Sequence, residues 1–142
     1  MPSIEDAVAL AALAHKGQKD KAGQPYILHP LRVMLRLDSE AERMTAVLHD
    51  VIEDTRYTLE DLADLGYGSD VLEALDRVTE RDDESYDEFI ERAGGRPVSR
   101  RVKLADLEDN LDETRLPRLT GLDRKRLEKY RRARARLLEM NS

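Results

Sequence analysis

Apolar positions recur at helical spacing along most of the chain, broken by capping residues, Gly and Pro. Ser3 opens I-E-D-A-V-A-L-A-A-L-A-H-K, and Gly17 stands just past its last turn. Residues 17–30, G-Q-K-D-K-A-G-Q-P-Y-I-L-H-P, carry two Gly and two Pro and read as a loop, after which L-R-V-M-L-R-L forms a short apolar helix. Ser39 starts the next helix. Thr58 with Asp61 and Ser85 with Glu88 are capping-box patterns, the first with Asp in place of Glu, and Ser69 is placed to cap V-L-E-A-L-D-R-V-T. Gly94, Gly95 and Pro97 precede a further helix, and the stretch from Pro117 to Gly121 precedes the last. No run alternates with period two, and no internal repeat stands out. The pattern predicts an all-α fold, a single-domain helical bundle spanning residues 1–142.

One helix breaks the usual amphipathic rule. In A-V-L-H-D-V-I-E-D-T, residues 46–55, His49 and Asp50 are followed one turn later by Glu53 and Asp54. At about 100° per residue, with His49 at zero, Glu53 falls near ~40°, Asp50 near ~100° and Asp54 near ~140°. Val47, Leu48, Val51 and Ile52 occupy the other side. A solvated acidic face would ordinarily carry Lys or Arg one turn away, yet none occurs between Arg43 and Arg56. The face is either exposed to water or part of a metal site.

Composition narrows the setting. The 142 residues suit one domain with its own core, and the net charge of -6 argues against a general nucleic-acid surface. Without Cys there is no disulfide, thiol nucleophile or zinc–thiolate cluster. No apolar run approaches membrane-spanning length and the N-terminus lacks a signal-peptide pattern, so a soluble, cytoplasmic protein without membrane contact is expected.

The other candidates lie at a distance in sequence. His29 precedes Pro30 at a loop-to-helix junction, where proline restrains both residues. His15, near the end of the first helix, suits a capping or core role. In R-V-K-L-A-D-L-E-D-N-L-D-E-T, residues 101–114, Leu104, Leu107 and Leu111 make a buried stripe beside the polar line Lys103, Asp106, Asn110 and Thr114; Glu108 and Asp109 are expected to point elsewhere, into solvent. Together His29, His49, Asp50 and Asp106 form a mixed nitrogen and oxygen ligand set that suits manganese or ferrous iron, with water in the open positions. Such an ion acidifies water and neutralises charge on a phosphoryl oxygen. Glu53 and Asp54 are then placed to accept a proton from that water or to hold it.

Three blocks, A-H-K-G-Q-K-D-K-A-G-Q-P-Y-I-L-H-P, L-H-D-V-I-E-D-T and V-K-L-A-D-L-E-D-N, occur in the order seen in the HD superfamily of metal-dependent phosphohydrolases. The chain most resembles the RelA/SpoT hydrolase domain and the stand-alone small alarmone hydrolases, over nearly its whole length. The resemblance implies a helical bundle that binds one Mn²⁺ and removes the 3′-pyrophosphate from ppGpp, giving GDP and pyrophosphate. It implies His29, His49, Asp50 and Asp106 as metal ligands, Glu53 and Asp54 as the catalytic acid pair, and Lys21, Asn110 and Tyr130 as substrate-binding residues.

The departures concern the nucleotide. Where the family carries Arg-Lys before the loop glycine, this chain has Asp20-Lys21, and Asp cannot stack on a base as a guanidinium does. Where the family tends toward R-L-H-N-M-R-T after its Asp, residues 107–114 read L-E-D-N-L-D-E-T, which puts acids such as Glu113 near an anionic substrate. Residues 124–136 offset this with eight basic residues and one acid, around a stripe of Leu127, Tyr130, Ala133 and Leu137. One or two of these bases would reach phosphate, while the rest make a solvated face. The sequence thus points to a metal-dependent hydrolase of ppGpp-type alarmones. Its alternatives are an HD phosphohydrolase for another phosphorylated nucleotide, or a catalytically silent nucleotide-binding domain; the intact Glu53-Asp54 pair speaks against the last. The oligomeric state is left open.

Overall fold

The structure, a computed structural model, describes residues 1–112 and 120–140. Its helices are α1 Ile4–Ala14, α2 Leu28–Leu35, α3 Glu40–Asp54, α4 Leu59–Asp64, α5 Ser69–Arg77, α6 Tyr86–Ala93, α7 Pro97–Asn110 and α8 Gly121–Met140. Among the described residues the only extended pairing is a bridge between Lys19 and Pro25. The expected all-α fold is therefore observed. No helix among these residues is long and apolar enough to cross a membrane. Thr114, Glu113 and Pro117, which the sequence placed beside the site or before the last helix, lie outside the described residues.

Local chemistry explains most helix starts. Ser3, Ser39, Thr58 and Ser85 each accept from the N3 backbone N–H, while the side chains of Asp6, Glu42, Asp61 and Glu88 accept from the cap's own N–H. Each cap contributes on the order of 1 kcal/mol. Two boundaries differ from the sequence reading. Helix α2 begins at Leu28, so His29 and Pro30 lie in its first turn, where proline's missing N–H deprives the helix of no bond. Helix α5 takes Gly68 as its N-cap and Ser69 as its first residue, without a side-chain cap.

Helix α3 is the central element, with α1, α2, α5 and α7 packed around it, and α8 lies against α6 and α7. Val47, Leu48 and Val51 join Ala7, Ala11 and Leu75 in the largest apolar cluster. On the opposite side, Ala46 meets Val33 and Val102. A third cluster places Phe89, Ile90 and Leu107 against Ala133 and Leu137 of α8, which accounts for the apolar stripe of the last helix. Burial of a side chain such as Leu48 or Leu107 contributes roughly 1.5–3 kcal/mol. The middle of α3, including His49 and Asp50, is buried on all sides. Its imidazole–acid face is thus interior, and the solvated-face reading does not hold there.

Candidate metal centre and adjoining pocket

Three helices bring the ionisable residues together. The first turn of α2 presents His29, the C-terminal half of α3 presents His49 and Asp50, and α7 presents Asp106. One ligand atom each from His29, His49 and Asp106 lie within 4.8 Å of one another. Asp106 Oδ1 is 2.9 Å from His29 Nε2 and 3.2 Å from His49 Nε2. Asp50 Oδ2 completes the group at 3.2 Å from His49 Nε2 and 3.7 Å from His29 Nε2. All four residues are buried.

The far side of each ring is fixed. His49 Nδ1 lies 2.5 Å from the Ala46 carbonyl, and His29 Nδ1 lies 2.6 Å from Asp109 Oδ2. Donation from both Nδ1 atoms turns the two Nε2 atoms toward Asp106 Oδ1, the orientation that metal ligation needs once an ion takes the place of their protons. Burial disfavours a charged His49, but the charges of Asp50 and Asp106 outweigh it and carry its pKa up to about 10. Burial likewise works against a charged His29, and Asp106 and Asp109 reverse the balance. A buried site that draws protons onto two imidazoles is one that demands positive charge. Two imidazole nitrogens with carboxylate oxygens can meet that demand by holding a divalent metal ion.

Other groups reinforce the centre. Lys103 Nζ lies 2.7 Å from Asp106 Oδ2, and Asn110 Nδ2 donates to Asp106 Oδ1 at 3.2 Å. This is the polar line expected along α7. Burial opposes the low pKa of Asp106, yet Lys103 and His49 hold it well below the usual carboxylate range. Glu53 and Asp54, at the end of α3, are more open to water. Glu53 Oε1 accepts the Glu80 backbone N–H at 2.7 Å, and partial burial followed by the charge of Asp50 raises its pKa. Asp54 is raised for the same two reasons, with the Tyr26 hydroxyl opposing them.

Several participants were not singled out from sequence. Tyr26 donates its hydroxyl to Asp50 Oδ2 at 2.5 Å, three residues before His29 and inside a motif that was already legible. Asp109 was expected in solvent but is 1% exposed and braces His29, while Arg32 grips its carboxylate through Nε and Nη2 at 2.9 and 3.2 Å. The i, i+3 spacing of Asp106 with Asp109, and of His29 with Arg32, was the available signal. Glu108 is half-exposed, with Arg36 and Arg134 at 3.5 and 3.6 Å. His15 is buried outside the cluster, with Nδ1 2.9 Å from Gln18 Oε1 and its ring against Tyr26, in keeping with a core role.

A cavity of about 340 Å³ opens beside His29. Lys21, Asn110 and Tyr130, the three residues expected to meet substrate, all line it; Glu53 and Asp54 do not. Its charged lining is mixed, with Lys19, Lys21 and Arg126 facing Asp20, Asp112 and Asp123. Lys21 Nζ is 3.1 Å from Asp123 Oδ1. Asp20 turns Oδ1 back onto its own loop, where it accepts the N–H groups of Ala22 and Gln24, both at 2.9 Å.

Fold and site together define an all-α domain with a buried centre suited to a divalent ion and a pocket at its side. No family model matches the chain. The particular likeness is to the RelA/SpoT proteins, in both sequence and fold. The chain is 46% identical over 81 residues to a GTP pyrophosphokinase of Myxococcus xanthus, covering 54% of this chain and 10% of that protein. It is 47% identical over 78 residues to the guanosine-3′,5′-bis(diphosphate) 3′-pyrophosphohydrolase of Haemophilus influenzae, covering 51% and 11% respectively. It is 40% identical over 84 residues to the bifunctional (p)ppGpp synthase/hydrolase SpoT of Escherichia coli, covering 56% and 12%. The matched region is therefore about a tenth of each curated relative's length. Among solved structures, a metazoan ortholog of SpoT, described as hydrolyzing ppGpp and playing a role in starvation responses, superimposes with a TM-score of 0.79 at 28% identity. That match covers 97% of this chain and 87% of the other.

Proposed function

We propose that this chain is one HD-type phosphohydrolase domain that uses Mn²⁺ to remove the 3′-pyrophosphate from ppGpp-type alarmones, giving GDP and pyrophosphate. The observation that carries the reading is the buried convergence of His29, His49 and Asp106, with Asp50 beside them, at the edge of a cavity of about 340 Å³. That volume lies in the range of small-molecule sites. Support also comes from the fold, which matches a structure described as a ppGpp hydrolase across nearly the whole chain.

In this reading His29, His49, Asp50 and Asp106 hold the ion, which when bound supplies a Lewis acid for water activation and phosphoryl charge. Glu53 takes the proton of the attacking water, a role served by a carboxylate whose pKa is raised. Asp54 assists from the next position, and Tyr26 ties it to Asp50. Asn110 links the two halves of the site, since it donates to Asp106 and also lines the pocket. Lys21 and Arg126 bring positive charge to the phosphates, and Tyr130 offers its ring to the nucleotide. Water adds to the phosphorus carried by the 3′ oxygen, that P–O bond breaks, and the departing oxygen takes up a proton.

The deciding experiment incubates purified protein and Mn²⁺ with ppGpp and a panel of phosphorylated nucleotides, beside an EDTA control. Metal-dependent release of GDP and pyrophosphate is expected. The acids Asp20, Asp112 and Asp123 in the pocket wall favour a second reading, in which the substrate is a different phosphorylated nucleotide. Silence on ppGpp with cleavage of another panel member would select it.

A further inference from the structure

His29 is held from behind by a device that the ligand set does not include. Asp109 Oδ2 lies 2.6 Å from His29 Nδ1, while Arg32 reaches Asp109 Oδ1 through Nε at 2.9 Å and Oδ2 through Nη2 at 3.2 Å. The two helices contribute reciprocal pairs. On α2, His29 and Arg32 are three residues apart; on α7, so are Asp106 and Asp109. The imidazole is therefore gripped at both nitrogens by carboxylates of one helix, Asp106 at Nε2 and Asp109 at Nδ1. Behind His49 stands a neutral group, the Ala46 carbonyl.

We propose that Asp109 is the positioning residue for His29, held in place by Arg32, and that this Arg32–Asp109–His29 relay sets how tightly the centre binds its metal ion. The inference rests on the metal-centre reading above and adds to it the determinant of affinity. A carboxylate behind a ligating imidazole fixes the tautomer with Nδ1 protonated, locks the ring plane and raises the donor strength of Nε2. Asp109 is 1% exposed, so its charge needs a close positive partner, and the fork of the part-buried Arg32 supplies one. The competing account makes Arg32 and Asp109 a simple tie between α2 and α7, which would affect unfolding and leave metal affinity unchanged. The sequence departure also acquires a purpose: the acid standing where the related enzymes tend to carry His faces the back of a ligand, away from the pocket.

The test titrates metal-free protein with Mn²⁺ alone and reads the dissociation constant for wild type, Asp109→Asn, Asp109→Ala and Arg32→Gln. Circular dichroism in EDTA establishes that each variant is folded. Asp109→Asn keeps the size of the side chain and an acceptor oxygen, so it stays informative if the alanine variant fails to fold. Removal of such a partner weakens metal binding by about 10–100-fold, and that loss is expected for Asp109→Ala. Smaller losses are expected for Asp109→Asn and Arg32→Gln. Folded Asp109 variants that bind Mn²⁺ within about twofold of wild type would overturn the relay while leaving the metal centre standing. A wild-type protein that binds no Mn²⁺ would overturn both.

Discussion

Asp106 is the most connected side chain of the centre, and its removal has a calculable consequence apart from metal loss. Its Oδ2 receives Lys103 Nζ at 2.7 Å, and the Lys103 side chain is only 12% exposed, with Nζ 5.0 Å from the Phe89 ring centroid. In Asp106→Ala the imidazoles of His29 and His49 can shed their protons, but Lys103 is left as a charge among aromatic groups. Breaking a buried pair from one side costs about 3–5 kcal/mol, a large part of the ~5–15 kcal/mol that holds a domain folded. For a domain of this size the melting temperature should fall by roughly 10–15 °C. The double variant Lys103→Met/Asp106→Ala removes both charges and should regain at least half of that loss, because the cost lies in the unpaired partner. Thermal and urea unfolding in EDTA, closed as a double-mutant cycle, measure the coupling. Additivity within about 0.5 kcal/mol would mean that the two side chains do not depend on each other and would refute the argument. The single variant should also bind no Mn²⁺; unchanged binding would remove Asp106 from the ligand set.

Two other substitutions probe the chemistry and the pocket. Glu53→Gln should keep the fold and the metal but lower turnover by about 10²–10⁴-fold, as loss of a general base does; full activity on ppGpp would take Glu53 out of the mechanism. Asp20→Asn keeps an acceptor for the N–H groups of Ala22 and Gln24 while removing a negative charge from the pocket wall. It should lower KM for ppGpp severalfold, and an unchanged KM would restrict Asp20 to shaping the loop.

Helix content was legible in the chain because capping boxes and apolar spacing are local signals. Ser3, Ser39, Thr58 and Ser85 all start helices as read. Ser69 did not cap, since the N-cap position depends on backbone geometry one residue earlier, at Gly68. The cluster of His29, His49 and Asp106 was legible because residue type and order constrained it. What lay behind it was not. Asp109 looked solvated on a helix wheel of α7 because a wheel contains one helix, whereas its burial comes from His29 and Arg32 on α2. Tyr26 was similarly hidden, because its partner Asp50 is contributed by α3. Contacts between elements decide the side chains that surround a ligand set, and periodicity within one element carries little of that information.

The same distinction bears on the acids that set this chain apart near its pocket. Counted along the sequence they oppose an anionic substrate, yet several are already occupied in the fold. Asp109 serves His29 and Arg32, and Glu108 lies near Arg36 and Arg134. Asp123 accepts from Thr120 and Lys21, and Asp20 closes its own loop with one oxygen. Partnered carboxylates project a weaker field than a charge count suggests, because each lies within a few ångströms of an opposing charge or dipole. The same pairing limits the bases, since Lys21 is shared with Asp123 and cannot give all of its charge to a phosphate. Arg126 lies 3.6 Å from the same Asp123 oxygen, so in the proposed function most of the attraction for a pyrophosphate group falls to the metal centre, with Lys19 in the pocket wall. In the proposed function substrate affinity follows occupancy of the centre, so a relay that tightens metal binding through Asp109 raises, at limiting metal, the fraction of protein able to hold the phosphates.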